Sequence, residues 1–220
     1  MKSTESIQGK ITYDKLFWLF MAGSLTGVVL EGLFCLILKG HWESHVVTIL
    51  GPFNALYGAG AVLFYSVAAL LKDKNIVLKV ALITAIATVL ELLCGILLAD
   101  GLGMKAWDYS KVMFNYRGII CLSFSLGWGG AGLAFCLLFD KIDRLFCKLK
   151  GKKTHLLCIV LSVLMVINLC LTAVCIVRWS ERHYHTATNS KLGKLVDEAA
   201  PDQWMQHRFI EWEFIDEKTK

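Results

Sequence analysis

The chain has 220 residues, 56% of them apolar and 19% charged, with a formal net charge of +5 and a mean hydropathy of +0.56. That balance excludes an ordinary soluble domain and points to an all-α integral membrane protein. The apolar residues are also segregated, which leaves no room for a large soluble catalytic domain.

Five windows, 16–38, 53–71, 76–99, 119–139 and 156–177, total 109 residues and hold three of the 41 charged side chains, Glu31, Lys79 and Glu91. Each is close to the roughly 20 residues that cross a hydrocarbon core of about 30 Å. They lack the polar face that a soluble helix shows every turn. The expected fold is a bundle of about five transmembrane helices. Its expected parts are an N-terminus at 1–15, a four-span module at 16–139, a basic linker at 140–155, a fifth span at 156–177 and a polar tail at 178–220.

Residues 1–10 are polar, and the first apolar window is too long for a signal-peptide core and lacks a small-x-small site after it, so the first span reads as a retained helix. Seven of the eight cysteines lie in the spans and Cys147 in the basic linker. None falls in a polar loop or in C-x-x-C spacing, so they read as packing residues. Twelve Lys and Arg flank one side (Lys2, Lys10 and Lys15, then 72–79 and 141–153), against eight on the other (Lys39, 105–117 and 178–194). The positive-inside rule then puts the N-terminus in the cytoplasm and, with five spans, the tail outside. A six-span count around Pro52 would return the tail to the inside.

In span one, Gly23, Gly27 and Glu31 are spaced by four and share a helical stripe, two small residues followed by a carboxylate. Span three repeats this with Thr84, Ala87, Thr88, Glu91 and Gly95. The two spans run in the same direction, so both glutamates are expected roughly 10–12 Å below the same surface, at about 1.5 Å per residue. A lipid-facing carboxylate there costs roughly 2.5–3.5 kcal/mol on insertion scales. A shared polar site or pathway explains the pair, and so does inert hydrogen bonding between helices. Lys79, one turn inside its span, reads as a snorkelling side chain.

The connections on that side are polar. His41-Trp42-Glu43-Ser44-His45 precedes Gly51-Pro52-Phe53-Asn54-Ala55-Leu56-Tyr57-Gly58. The proline and glycines predict an irregular or re-entrant stretch. H-x-E-x-H differs from the H-E-x-x-H zinc motif, and the histidines read as interfacial polarity, with no metal or cofactor expected. Between spans three and four come Trp107-Asp108-Tyr109-Ser110 and Asn115-Tyr116-Arg117-Gly118. Asp108 and Arg117 lie on the side of Glu31 and Glu91, so three carboxylates and one guanidinium are expected to converge there.

The run Ala87 to Gly95, Trp107-Asp108-Tyr109-Ser110, Phe114-Asn115, Gly118-Ile119-Ile120-Cys121-Leu122 and Trp128-Gly129 resembles a bacterial family of ABC-transporter permeases (type IV, CmpB-like). Gly27 to Glu31 resembles that family's first-span motif, and Gly51-Pro52 with Tyr57-Gly58 its second-span start. The likeness covers roughly residues 14–140. It departs where Ile119 replaces a residue that is often polar, commonly Arg, and where the family's Arg-Gly pair before Gly-Pro is missing. The resemblance implies a permease in the bacterial inner membrane that works with a separate ATPase.

No ATPase lies in this chain, since Gly151-Lys152-Lys153-Thr154 lacks the leading glycine of a P-loop, Phe146 holding that place. Residues 140–155 carry a net charge of +4 with Ile142, Leu145, Phe146 and Leu149 on one stripe, as in an interfacial helix on anionic lipids or an ATPase-coupling helix. Asn168 is the strongly polar residue of span five, which reads as structural. The tail from Asn189 alternates at Ile210-Glu211-Trp212-Glu213-Phe214, and either docks or remains disordered with an aromatic anchor. A homo-oligomer is a further expected arrangement, and nucleic acid is not an expected partner.

The expected pocket thus comprises Glu31, Glu91, Asp108, Arg117, Asn54, Tyr57, Trp107 and Asn115, in the outer half of the membrane. A permease-like component for a small polar or cationic solute is the leading reading. A membrane-embedded enzyme using the carboxylates as acid and base, with His41 or His45, is the alternative. A non-catalytic assembly or sensory protein is the third.

Overall fold

A computed structural model describes residues 9–188 and 190–215. Lys2, counted above toward the N-terminal charge, lies outside the described residues, as do Asn189 and the last five residues of the tail.

Five apolar helices pass between two poles of the molecule: α1 (Tyr13–Lys39), α2 (Ala55–Leu70), α3 (Ile76–Ile96), α4 (Leu122–Phe146) and α5 (Lys152–His183). α3 runs on through a π-helical turn, Leu97–Gly101. Counting that turn, four of the helices are long and apolar enough to cross a membrane, and α2 is shorter, at 16 residues. At about 1.5 Å per residue α2 spans about 24 Å. Local chemistry fixes where three of them start. Thr12 accepts from the Lys15 N–H, Asn54 from those of Leu56 and Tyr57, and Asn75 from that of Leu78, filling donors that a helix start leaves open. Large apolar side chains such as Leu30, Ile37, Val163 and Ile167 are exposed along α1 and α5, as suits contact with lipid rather than water.

The small-residue stripes set the helix packing. Gly23 and Gly27 face Tyr57 and Ala61 of α2, while Gly129 and Gly132 of α4 face Thr84 and Ile83 of α3. A Cβ at any of these four glycines would collide with the opposing side chain, so their absence of one is what lets the helices approach. Tyr65 and Leu19 bury against Phe139, and Phe64 against Ile83 and Ala87, forming the core between α1, α2, α3 and α4.

The stretch 140–155 is not a separate linker in the structure. Residues 140–146 complete α4, and α5 begins at Lys152. Ile142 and Phe146 pack into the core while Leu145 and Leu149 are exposed. Asp143 explains the inward turn: it is fully buried, at 2.5 Å from the Lys15 ammonium and 2.6 Å from the Tyr65 hydroxyl, and also accepts from the Gly9 N–H at 2.7 Å. Lys15 is thus a buried partner at the N-terminal pole.

The tail is ordered over its described part and docks at the opposite pole. Helices α6 (Lys191–Ala199) and α7 (Asp202–Arg208) place Val196, Met205, Phe209 and Trp212 around Trp179 of α5 and Met104. A two-residue strand β1 (Met104–Lys105) pairs antiparallel with β4 (Glu213–Phe214). The alternation at 210–214 therefore yields only a short strand, the preceding residues being helical or turn. A second small hairpin, β2 (Asn115–Tyr116) with β3 (Ile120–Cys121), shapes the connection between α3 and α4.

Candidate functional site

Between α1 and α2 the chain is irregular, as Gly51 and Pro52 predict, and its polar groups are satisfied by distant residues. The Ile49 N–H donates to Thr172 at 2.9 Å, the Leu50 N–H to the Asn168 carbonyl at 3.0 Å, and the Asn168 amide to the Leu50 carbonyl at 2.8 Å. Arg208 of α7 donates to the carbonyls of Thr48 and Gly51, and its burial pulls the guanidinium below its ordinary pKa. Asn168, structural on sequence grounds, supports this strap from the middle of α5. Non-helical backbone survives in an apolar setting only with such partners.

Above the strap's C-terminal end, a cavity of about 720 Å³ opens toward the pole that carries the tail. Glu31, Glu91, Asn54, Tyr57, Trp107 and Asp108 all line it. Glu91, buried at 3% exposure, accepts from the Tyr109 hydroxyl at 3.0 Å and from the Trp128 indole N–H at 3.1 Å. Glu31 accepts from the Tyr57 hydroxyl. The Tyr57 and Trp128 rings lie 5.4 Å apart, so the two carboxylates are joined through an aromatic bridge. Tyr109 is held by stacking on Phe124, 4.4 Å between centroids. Burial, then the charge of Glu91, pushes the Tyr109 phenol above its ordinary range, so it stays a donor.

The other residues of the expected set divide. Asn54 is a cap: its carbonyl serves the start of α2 and its amide donates to the His45 carbonyl at 2.9 Å. Trp107 donates to the Ile119 carbonyl at 2.8 Å, anchoring the α3–α4 connection over the cavity. Asp108 reaches the cavity rim but takes hydrogen bonds from Lys105 and from the Ser110 N–H, both at 2.8 Å. Its burial raises the carboxyl's pKa, and these bonds outweigh that and hold it below the ordinary range. Arg117 does not converge with the carboxylates. It pairs with Asp100 at the surface, 2.5 Å away. Asn115 is likewise outside the cavity lining, capping the Gly118 N–H at 3.0 Å and donating to Val112 at 2.8 Å.

The lining also includes Cys35, Glu43 and Glu211, which the expected pocket did not contain, and His45, expected as interfacial polarity or as an acid-base partner. The Cys35 thiol lies 3.2 Å from a Glu43 oxygen and 3.3 Å from the His45 Nε2, which is itself 3.1 Å from Glu43. Glu31, one turn before Cys35, joins them, its carboxylate within 4.8 Å of both the thiol and the imidazole. Glu43 also binds Lys39 at 2.7 Å, and that ammonium, with the Cys35 and His41 donors, holds its carboxyl down to about 2. The i, i+4 spacing puts Glu31 and Cys35 on one helix face, but that spacing alone does not separate a ligand from a packing cysteine.

No curated protein and no solved structure matches the chain. A family model does, across the four helices and the strap together with its partners on α5, ending before the docked tail. With its membrane-length helices, the chain is a multi-pass membrane protein and belongs to the family described as Putative ABC-transporter type IV, whose model matches residues 18–173.

Proposed function

We propose that the chain is the permease-like component of a transporter for a small polar or cationic solute, and that the carboxylate-lined cavity is its solute site. One observation carries the reading: Glu31 and Glu91, the two carboxylates of the five apolar windows, line the same cavity and are linked through Tyr57 and Trp128. The lining's six carboxylates (Glu31, Glu43, Glu91, Asp108, Glu211 and Glu213) outnumber its two lysines (Lys39 and Lys105), which favours a cation. Both lysines are already tied to carboxylates.

In this reading the N-terminal pole faces the cytoplasm of a bacterium, the cavity opens outward, and energy comes from a separate ATPase subunit. Exposed Lys148 and Lys150 near the N-terminal pole meet anionic headgroups.

A thermal-shift screen of the purified protein against small organic and inorganic cations tests the site, followed by uptake of each hit into cells. A solute at a hundredfold its Kd stabilises by about 2.7 kcal/mol. Glu31→Gln with Glu91→Gln is expected to abolish both the shift and the uptake at unchanged expression. Wild-type uptake by that double variant would sink the proposal.

A further inference from the structure

The cluster at the cavity rim has the composition and the dimensions of a metal centre. Cys35 offers a thiolate, His45 an imidazole nitrogen, Glu43 and Glu31 carboxylate oxygens. The pairwise separations among the Cys35, His45 and Glu43 donors are 3.1–3.3 Å. Ligands on a tetrahedral zinc ion, with bonds of about 2.0–2.3 Å, stand about 3.3–3.6 Å from one another. The three donors therefore already form one face of such a tetrahedron, with only a small outward adjustment needed. Glu31 stands near enough to complete it.

We propose that Cys35, Glu43, His45 and Glu31 bind a divalent ion of the zinc class at the rim of the cavity. The donor set selects the metal. A thiolate with an imidazole suits Zn²⁺ or Co²⁺, whereas Mg²⁺ and Ca²⁺ take oxygen ligands alone. On binding, the Cys35 thiol gives its proton to solvent and its sulfur lone pair to the metal.

An independent feature favours a cation at this place. Glu211, brought by the docked tail, accepts from the His45 N–H with one carboxylate oxygen at 3.2 Å. Its other oxygen is buried with no hydrogen-bond partner among the described residues. A buried carboxylate oxygen without a hydrogen bond is costly, and positive charge in its vicinity, from the Lys39 ammonium or from a bound dication, offsets that cost. Lys39 stands in for part of this charge by pairing with Glu43, but its side chain is 51% exposed and can swing into water when a metal arrives. The metal centre shares Glu31 with the solute site, but its readout is Co²⁺ or Zn²⁺ bound through the Cys35 sulfur, so metal binding and transport can fail separately.

The test is titration of the full chain, purified in detergent, with Co²⁺ and Zn²⁺. One equivalent of Co²⁺ is expected to give the near-ultraviolet thiolate-to-cobalt absorption, displaced by Zn²⁺ and unaffected by excess Mg²⁺. Cys35→Ser should remove that band, and His45→Ala or Glu43→Gln should weaken binding at least about tenfold. Lys39→Met, which frees Glu43, should tighten it about two- to fivefold. Weaker binding in that variant would contradict the shared use of Glu43. Because Cys35 is buried and Cys35→Ser can misfold, the wild-type protein supplies a second measurement. Zinc K-edge X-ray absorption of the one-equivalent complex should show one sulfur ligand at about 2.3 Å beside nitrogen and oxygen ligands. Absence of the thiolate band, its persistence in Cys35→Ser, or a zinc shell without sulfur would overturn the proposal.

Discussion

The Tyr57 hydroxyl reaches Glu31 because Gly27, one turn earlier on α1, has no side chain; a Cβ there would sit within the Tyr57 ring. Gly27→Val is expected to displace Tyr57 and destabilise the protein by about 1–3 kcal/mol, as overpacked cores do. Gly60 on α2 has open space where its Cβ would go, so Gly60→Ala should be neutral or stabilise by up to about 1 kcal/mol. Thermal unfolding in detergent compares the two. Trp128→Phe is a finer probe, keeping a ring near Tyr57 and Phe64 while leaving one Glu91 oxygen without its donor. A loss of about 1–3 kcal/mol is expected, with weaker solute binding in the same thermal-shift assay. The glutamates were legible in the sequence because charge is rare in an apolar window and stands out alone. Cys35 was not, since among apolar residues a cysteine reads as packing until its neighbours are known. Nor could local sequence say that Arg117 would choose Asp100 over Asp108, because that choice depends on how the π-helical turn after α3 presents Asp100.

At the scale of elements, α1, α2 and α4 are fastened at the N-terminal pole by Lys15, Tyr65 and Asp143. Removing one member of a buried ion pair strands the other. Lys15→Met is therefore expected to cost about 3–5 kcal/mol, and Lys15→Met with Asp143→Leu distinctly less. A double-mutant cycle by unfolding checks the coupling. The helices themselves were readable from the apolar windows, each of which falls on one of α1 to α5, although α4 runs seven residues and α5 six residues past the end of its window. The inward turn of residues 140–146 was not, because their stripe of Ile142, Leu145, Phe146 and Leu149 is equally suited to lipid or to a protein core. Lys15, 128 positions away from its partner, settles which.

For the whole molecule, the docked tail turns an open bundle into one with a covered pole, and charge helps to hold it there. Asp197 of α6 receives Arg178 at 2.7 Å and Arg182 at 2.6 Å from α5. The Arg178 bond, against the opposing effect of burial, holds the Asp197 carboxyl below its ordinary range. A carboxyl with a depressed folded pKa adds stability above the unfolded value, about 3.9, and loses it as pH falls through the folded one. Pepsin accessibility of residues 184–215 is thus expected to rise below about pH 4. Asp197→Asn should bring that accessibility to higher pH, weakening docking by about 1–3 kcal/mol. An Asp197→Asn tail as resistant as wild type at pH 5 would show that apolar packing around Trp179 holds the tail unaided. The sequence left docking and disorder open because the tail's apolar residues are few, and their value depends on meeting Trp179 and Met104.

The strap at 46–53 also sets a timetable. Ile49 and Leu50 emerge from the ribosome well before Asn168 and Thr172, the residues that satisfy their N–H groups. At roughly 5–20 residues per second, the 123 positions from Ile49 to its partner Thr172 take about 6–25 s to synthesise. During that interval the strap has no place in an apolar medium and must wait in water or against the insertion machinery. The last membrane helix to be made is the one that lets an early segment settle, so a nascent chain halted after α4 should leave residues 46–53 open to protease although its four preceding helices are complete.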